Sequence, residues 1–520
     1  MRVTGVRHVG VRGGLLIAVV LVGALVSGSA RVALAAPISP TGWGTTSEID
    51  AFVRKERAEL KLSGLAVVVL SEGSVIYDRA YGDASPGGPA VTLDTPFVLG
   101  STSKQFTGLA IQQLIAQGRL SLDDTVGVLL RPLGGGSSPF ADVSVAQLLG
   151  HTSGISTEAG TADEFDPAPA FTSLEAEVRH LLRGTPASAP GAKFEYSNGN
   201  YTLLGSIIEQ VTGTDFEDSL QALVAVPLGL RATTSDLSLA KANGLAAGHY
   251  TWFGAIDSIT PGPRWPMGAL SAYTTSTAAD LTRLMRAELG SREGIDPGVF
   301  VADQTPLVTV DDYNRYASGW YVRPFWELHD HDENFDDPTL PRIYEHAGDT
   351  TRETSYLAFA PALGCAVIVL SNTGLGTDTG RFDALTYQLL HTIVGTEATP
   401  RHADPLASAA PSIMVALPLL QAAAFVLLAI SFARPRRSRF GRWMPRVIAA
   451  LVTLVTLLVA FVVVPLQTNQ PLLDRAWWAA VPDLAISVAA SLLFAAACLA
   501  IGAKRLVLAL RARSSRRPAV

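Results

Sequence analysis

The chain has 520 residues, a formal net charge of −6 and two cysteines, too long for one ordinary domain and without the thiols for a disulfide framework or a cysteine metal site. Charge is divided unevenly: residues 37–400 carry 22 Lys and Arg against 43 Asp and Glu, and residues 401–520 carry 14 against 3. An acidic globule with no basic stripe among its aromatics excludes nucleic acid as a partner.

Arg2, Arg7 and Arg12 precede an apolar run from Leu15 to Val26, and Ala33-Leu34-Ala35 stands before Ala36-Pro37. A basic start, a short apolar core and small residues at its end describe a secretory signal peptide over residues 1–35. The run is shorter than the roughly 20 residues a membrane span needs. The acidic globule beyond it is expected outside the cytoplasm.

Ser47 to Leu60 reads as a helix, and Gly64 to Leu70 and Ser74 to Tyr81 as a hairpin about Ser71-Glu72-Gly73. Leu93 to Leu99 reads as extended, because Pro96 keeps Thr95 out of the α region. Phe106, Leu109, Ala110, Gln113, Leu114 and Gln117 then recur at helical spacing up to Gly118. Ser101 therefore stands at or just before the first helical turn, with Lys104 three residues on and on the same face. The positive helix N-terminus favours an oxyanion and disfavours an ammonium, so a neutral Lys104 can take the serine proton. A lone S-x-x-K recurs by chance, as an N-cap serine beside a solvated lysine.

Val143 to Gly150 has helical character and runs into His151. No G-x-S-x-G elbow surrounds any serine, so His151 is expected to be a structural hydrogen-bonding residue near the site rather than a catalytic base. Tyr196 and Asn198 alternate on a short loop before a helix from Leu203 to Val211 that Gly213 ends. By itself Y-x-N is mostly turn chemistry. Pro266 to Leu270 and a helix from Ala278 to Leu289 read as scaffold. His329-Asp330-His331-Asp332-Glu333, among Asn334, Asp336, Asp337 and Pro338, reads as a solvated acidic loop rather than a metal site. His346-Ala347-Gly348 falls on a strand leading into a hairpin, Ser355 to Ala360 and Cys365 to Ser371, about the turn Pro361 to Gly364. Residues 372–394 close the domain with a helical pattern.

Three motifs thus stand in order: S-x-x-K, Y-x-N and H-x-G. With flanks such as Gly118-Arg119-Leu120-Ser121-Leu122-Asp123-Asp124 and Leu148-Leu149-Gly150-His151-Thr152-Ser153-Gly154, the chain resembles the serine hydrolases of the class C β-lactamase and DD-peptidase family. The resemblance covers roughly Ser47 to Val394 and implies an α+β fold, an antiparallel sheet flanked by helices, with the site between the sheet and an all-helical subregion. It implies Ser101 as nucleophile, Lys104 as its proton partner, Tyr196 as proton shuttle to the leaving group and Asn198 as a hold on the substrate amide. The backbone N–H groups of Ser101 and Asp349 would form the oxyanion hole, and Gly348 would let substrate approach the strand. Bringing a phenol of pKa ~10 toward working pH calls for two cations, for which Lys104 and His346 are the candidates. No cofactor and no metal are implied.

Relative to the commoner K-T-G form, His346 replaces a permanent cation and Ala347 removes a hydroxyl that helps bind a carboxylate. If the His346 imidazolium supplies the missing charge, raising pH through ~6.5 should weaken turnover of carboxylate substrates most; if His346 is instead a neutral donor orienting Tyr196, no such selective loss should follow. Arg352 is the alternative source of that charge. These changes weaken the case for an efficient β-lactamase and leave an ester, a D-amino peptide or a peptidoglycan-type peptide as substrate.

The hydrolase domain is expected over residues 37–395, a linker over 396–411 and three transmembrane helices within 412–510, at about 413–433, 447–466 and 484–501. The loop from Arg434 to Arg446 holds six Arg, and Lys504 to Arg517 holds six Lys and Arg. Positive-inside then puts that loop and the tail at 511–520 in the cytoplasm and the acidic domain outside. The expectation is a multi-pass, membrane-anchored extracytoplasmic serine hydrolase, with the lipid bilayer and a small-molecule or peptide substrate as partners. A catalytically weak receptor for penicillin or cell-wall peptide, tethered the same way, is the alternative from another class.

Overall fold

The computed structural model describes residues 46–161, 173–253, 256–258, 273–291, 294–325, 340–374, 379–394, 405–433, 440–459 and 482–514. Gly64 to Ser71 is apolar at both alternations, which suits a strand covered on both sides, and the strand it forms, β1 (Gly64–Ser71), is buried along its whole length. β2 (Ser74–Gly82) returns beside it through Glu72 and Gly73, both at positive φ. The remaining strands are β3 (Val308–Thr309), β4 (Arg315–Tyr316), β5 (Tyr321–Pro324), β6 (Arg342–Asp349), β7 (Thr354–Ala360) and β8 (Cys365–Ser371). They make one sheet in the order β2-β1-β8-β7-β6-β5-β4-β3, every neighbouring pair antiparallel.

Helices cover both faces: α1 (Thr46–Leu60), α2 (Lys104–Ala116), α3 (Asn198–Thr212), α4 (Ala278–Glu288) and α5 (Thr379–Val394). Alternation along the strands sorts the core. Val67, Val69, Val367 and Val369 meet α1 and α5 through residues such as Val53, Phe382 and Leu389. Ala66, Val68, Ile368 and Leu370 face the larger cluster built by α2, α3 and α4. The expected α+β architecture is present, with the site lying where β6 meets the start of α2.

Ser101 lies in a 3-10 turn, Gly100–Ser103, just ahead of α2, as the helical stripe predicts. Two local readings change. Asn198, expected on a loop, is the first residue of α3, whose start is five residues earlier than the apolar pattern shows. Polar Asn200 occupies a core-facing position there, bonded to Ser153 and His151, and so disguises the first turn. Of the extended stretch before Ser101, only Phe97–Val98 pairs, with Thr275–Ser276.

After the domain come α6 (Pro405–Ala433), α7 (Phe440–Leu458) and α8 (Pro482–Ser514). Two described segments, Ser412–Ile430 and Asp483–Lys504, are long and apolar enough to cross a membrane. The remaining expected span, 447–466, is described only to residue 459, and the described apolar part is Arg446–Leu458. α6 begins inside the stretch expected as a linker. Leu419, Ile430 and Leu493 point outward, while Gln421 Nε2 donates to Thr453 Oγ1 (3.3 Å) and Ser487 Oγ to Met414 O (2.6 Å) between helices. The expected signal peptide, Pro266 to Leu270 and the His329 to Glu333 loop lie outside the described residues.

Because Ile368 is fully buried at the centre of the larger cluster, Ile368→Ala should cost about 2–5 kcal/mol. Denaturant titration of the purified protein, followed by tryptophan fluorescence, to which buried Trp320 contributes, measures it.

Candidate active site

The turn that carries Ser101 is pressed onto β6. Gly100 has φ +58°, and a Cβ there would fall 2.5 Å from Asp349 N. A Cβ on Gly348 would fall 2.0 Å from Leu99 O and 3.0 Å from Thr102 N. Gly348 is therefore required for the approach of the Ser101 turn, a constraint separate from the substrate approach that the resemblance implies. Hydroxyls complete the join: Thr102 Oγ1 and Ser355 Oγ both donate to Leu99 O, at 2.8 and 2.6 Å, and lie 2.8 Å apart.

Lys104, the first residue of α2, is fully buried. Its Nζ is 3.2 Å from Ser101 Oγ, donates to Asn198 Oδ1 at 2.8 Å and lies 4.9 Å from the centre of the Tyr196 ring. The structure thus brings Ser101, Lys104, Tyr196 and Asn198 together from two helix starts and the segment before α3. Asn198 meets Lys104 Nζ here, a contact the resemblance does not imply.

His151 braces that segment. It is buried, adopts φ +54°, and its Nδ1 accepts from Ser197 N (3.2 Å) and faces Asn200 Nδ2 (3.0 Å). Its ring lies 4.5 Å from that of Tyr196. Burial, then the charges of Lys104 and His346, hold its pKa well below the ordinary value, so it is a neutral acceptor. The structural role expected for His151 agrees with this.

Of the two charge states open to His346, the structure favours the neutral one. Burial first, and the Lys104 charge second, lower its pKa to about 3. Nδ1 donates to Ala347 O (2.6 Å), which can only accept, leaving Nε2 to accept from Tyr316 OH (3.3 Å). A neutral imidazole cannot supply the charge of the K-T-G lysine. Arg352 does not replace it, since it sits on the β6–β7 turn beside Glu353 and does not line the cavity. Of the two cations expected at Tyr196, Lys104 remains.

The edge of β6 is open where it matters. β5 pairs with β6 only through Arg342 to Glu345. Thr350 N donates to Glu353 O, so the alternating ladder turns the Asp349 N–H away from β7 and toward that open edge. The cavity there, about 440 Å³, is lined by residues that include Ser101, Tyr196 and Tyr321 and four acidic ones, Asp311, Glu345, Asp349 and Asp383. Among the described residues no Lys or Arg lines it. Glu345 is held by Arg323 Nε (3.1 Å) and Tyr356 OH (2.9 Å). Burial raises Asp349 to about 6 against donation from Thr351 N and the backbone of Thr350. Among the described residues no group of His, Cys, Asp and Glu is disposed to hold a metal.

Sequence reasoning missed Asp311, Tyr316, Tyr321 and Asp383 as neighbours of the site. β3 to β5 are too short for a period to show, and Asp383 arrives on α5 from the far end of the domain. One signal was present: Tyr316, Trp320 and Tyr321 flank Gly319, whose φ of +97° brings the chain against the start of α2.

A family model described as Beta-lactamase matches residues 49–391. The chain belongs to that family. It is 29% identical to Penicillin-binding protein 4 of Amycolatopsis lactamdurans over 368 residues, 67% of this chain and 90% of that protein. It is 25% identical to Protein flp of Staphylococcus aureus over 344 residues, 62% of each chain. Among solved structures it is similar to D-alanine Carboxypeptidase AmpC from Burkholderia cenocepacia, with a TM-score of 0.53, 22% identity, and coverage of 66% of this chain and 98% of that one. Members of this family share a serine hydrolase fold, and this chain has it.

The neutral His346 has a measurable sign. Its folded pKa of about 3 lies below the ordinary 6.5, so its stabilising contribution is full above 6.5 and lost as pH falls toward 3. Asp349, raised from 3.8 to about 6, acts oppositely and loses its contribution as pH rises through 6. The stability advantage of wild type over His346→Asn should therefore shrink by about 1 kcal/mol per pH unit as pH falls from 6 to 4.5. Denaturant titrations of both proteins across that range give the value, and a constant difference would show that His346 is charged when folded.

Proposed function

We propose that this protein is a membrane-anchored, extracytoplasmic serine hydrolase that acts through an acyl-enzyme at Ser101 on esters or amides that are neutral or carry an ammonium near the reacting carbonyl. The observation that carries the reading is the buried Lys104 Nζ, 3.2 Å from Ser101 Oγ and beneath the Tyr196 ring. Ser101 Oγ attacks the carbonyl carbon as its proton passes to the Lys104–Tyr196 pair. The N–H groups of Ser101 and Asp349 receive the oxyanion, and collapse of the intermediate expels an alcohol or amine that takes the proton back. Water then attacks the acyl-enzyme by the same relay. Two apolar helices and the flanking basic residues support the anchored topology.

The cavity's charge supports the substrate class. A substrate carboxylate about 8 Å from one ionised carboxyl is disfavoured by about 2 kcal/mol at an effective dielectric of 20. Glu345 is paired with Arg323, so Asp311, Asp349 and Asp383 carry this argument, and among the described residues no Lys or Arg lines the cavity.

Wild type in detergent should form a fluorophosphonate adduct at Ser101, and Ser101→Ala none; peptide mass spectrometry reads both. Absence of any adduct across a broad panel of acylating probes would turn the reading toward a binding protein. With matched aryl esters, kcat/KM for neutral and ammonium-bearing acyl groups should exceed that for a carboxylate-bearing one by about tenfold or more. The ratio should narrow in Asp349→Asn and in wild type below pH 6, where Asp349 takes up its proton. Carboxylate-bearing cephalosporins should be turned over slowest, and a fast β-lactamase rate would refute this specificity.

A further inference from the structure

Asp483, the second residue of α8, is almost fully buried although it begins a segment apolar enough to cross a membrane. Its Oδ1 accepts from Tyr250 OH (2.6 Å) and from Leu484 N (2.9 Å), and its Oδ2 accepts from Phe253 N (2.8 Å). Three donors and the start of a helix thus hold its two oxygens. Two of those donors belong to the hydrolase domain. Burial, and the charge of Asp483, push the Tyr250 phenol upward, so it remains a donor at any working pH.

The contact continues to the site. Tyr250 lies on a short strand, His249–Trp252, that pairs with Thr373–Gly374. His249 N donates to Asn372 O (2.7 Å) and approaches Arg352 O (3.2 Å). A Cβ on Gly374 would fall 1.9 Å from Thr351 O. Thr354 Oγ1 donates to Thr373 O (2.9 Å). The turn from Thr350 to Glu353 is thus held against this strand, and it directly follows Asp349.

We propose that Asp483 is a positioning residue: docked on Tyr250 and Phe253, it makes the membrane stem part of the catalytic unit by fixing the strand that backs the Asp349 turn. This rests on the proposed oxyanion role of Asp349 N–H, and it predicts loss of acylation rate rather than of substrate affinity. The stem is then a component of the site and not a passive tether.

The test uses full-length protein in detergent and a neutral aryl ester, with burst kinetics separating affinity from the acylation rate. Asp483→Ala and Tyr250→Phe should each lower the acylation rate by about five- to twentyfold with apparent affinity within about twofold. The double variant should be no slower than Asp483→Ala alone, since both remove one contact. Asp483→Asn, which keeps an acceptor oxygen, should recover much of the rate. Affinity for a boronate analogue of the tetrahedral intermediate should fall with the rate. If Asp483→Ala does not accumulate, Tyr250→Phe removes a single hydroxyl and carries the test. Rates within about twofold of wild type, or multiplicative losses in the double variant, would overturn the proposal. Wild-type labelling at Ser101 separates the two readings: without it the hydrolase reading fails, and with it but without an effect at Asp483 only the coupling fails.

Discussion

The contact on which the site depends is the approach of the Ser101 turn to β6. It leaves no room for a side chain on Gly348, whose Cβ would lie 2.0 Å from a backbone oxygen, and little for one on Gly100. Thr102 and Ser355 close the join with hydroxyls directed at the same carbonyl. A buried polar junction of this kind is rigid only when all its groups are satisfied, and here the donors converge on Leu99 O. The Ser101 turn and the open edge at Asp349 are therefore fixed relative to one another before any substrate arrives. Preorganisation of that sort is what an oxyanion-stabilising site requires.

Electrostatics then divides the site into two zones. The floor holds Lys104 among neutral aromatic rings, with His151 and His346 both kept uncharged by burial and by the lysine itself. The mouth carries acidic residues and, among the described residues, no Lys or Arg. Lys104 Nζ beneath Ser101 and acidic residues around the entrance are the basis of the proposed acylation chemistry and of the proposed preference against anionic substrates. Burial first, and the Lys104 charge second, keep both imidazoles neutral, so the histidine of H-x-G does not supply the charge of a lysine here.

Much of the fold was legible in the sequence because its signals are local. Unbroken apolar runs at Gly64 to Leu70 and Cys365 to Ser371 mark strands buried on both faces, and both lie inside the sheet rather than at its edges. The stripe from Phe106 to Gln117 marks α2, and Gly213 at φ +79° ends α3 where expected. The start of α3 was hidden because its inward-facing residues are polar and satisfied by His151 and Ser153. β3 to β5 were hidden because strands of two to four residues have no measurable period.

The same division holds at the site. The sequence by itself determined the chemical inventory: a serine and lysine one helical turn apart, a tyrosine and asparagine two residues apart, and a glycine after His346-Ala347. Residue type and short spacing fix these, because helix and strand geometry act over a few residues. Tertiary structure alone decided the charge of His346, the close approach at Gly348, the acidic residues at the cavity mouth and the burial of Asp483 against Tyr250. Each depends on groups that meet across the sheet or from distant parts of the chain, and both desolvation and steric exclusion are properties of that assembled neighbourhood rather than of any segment.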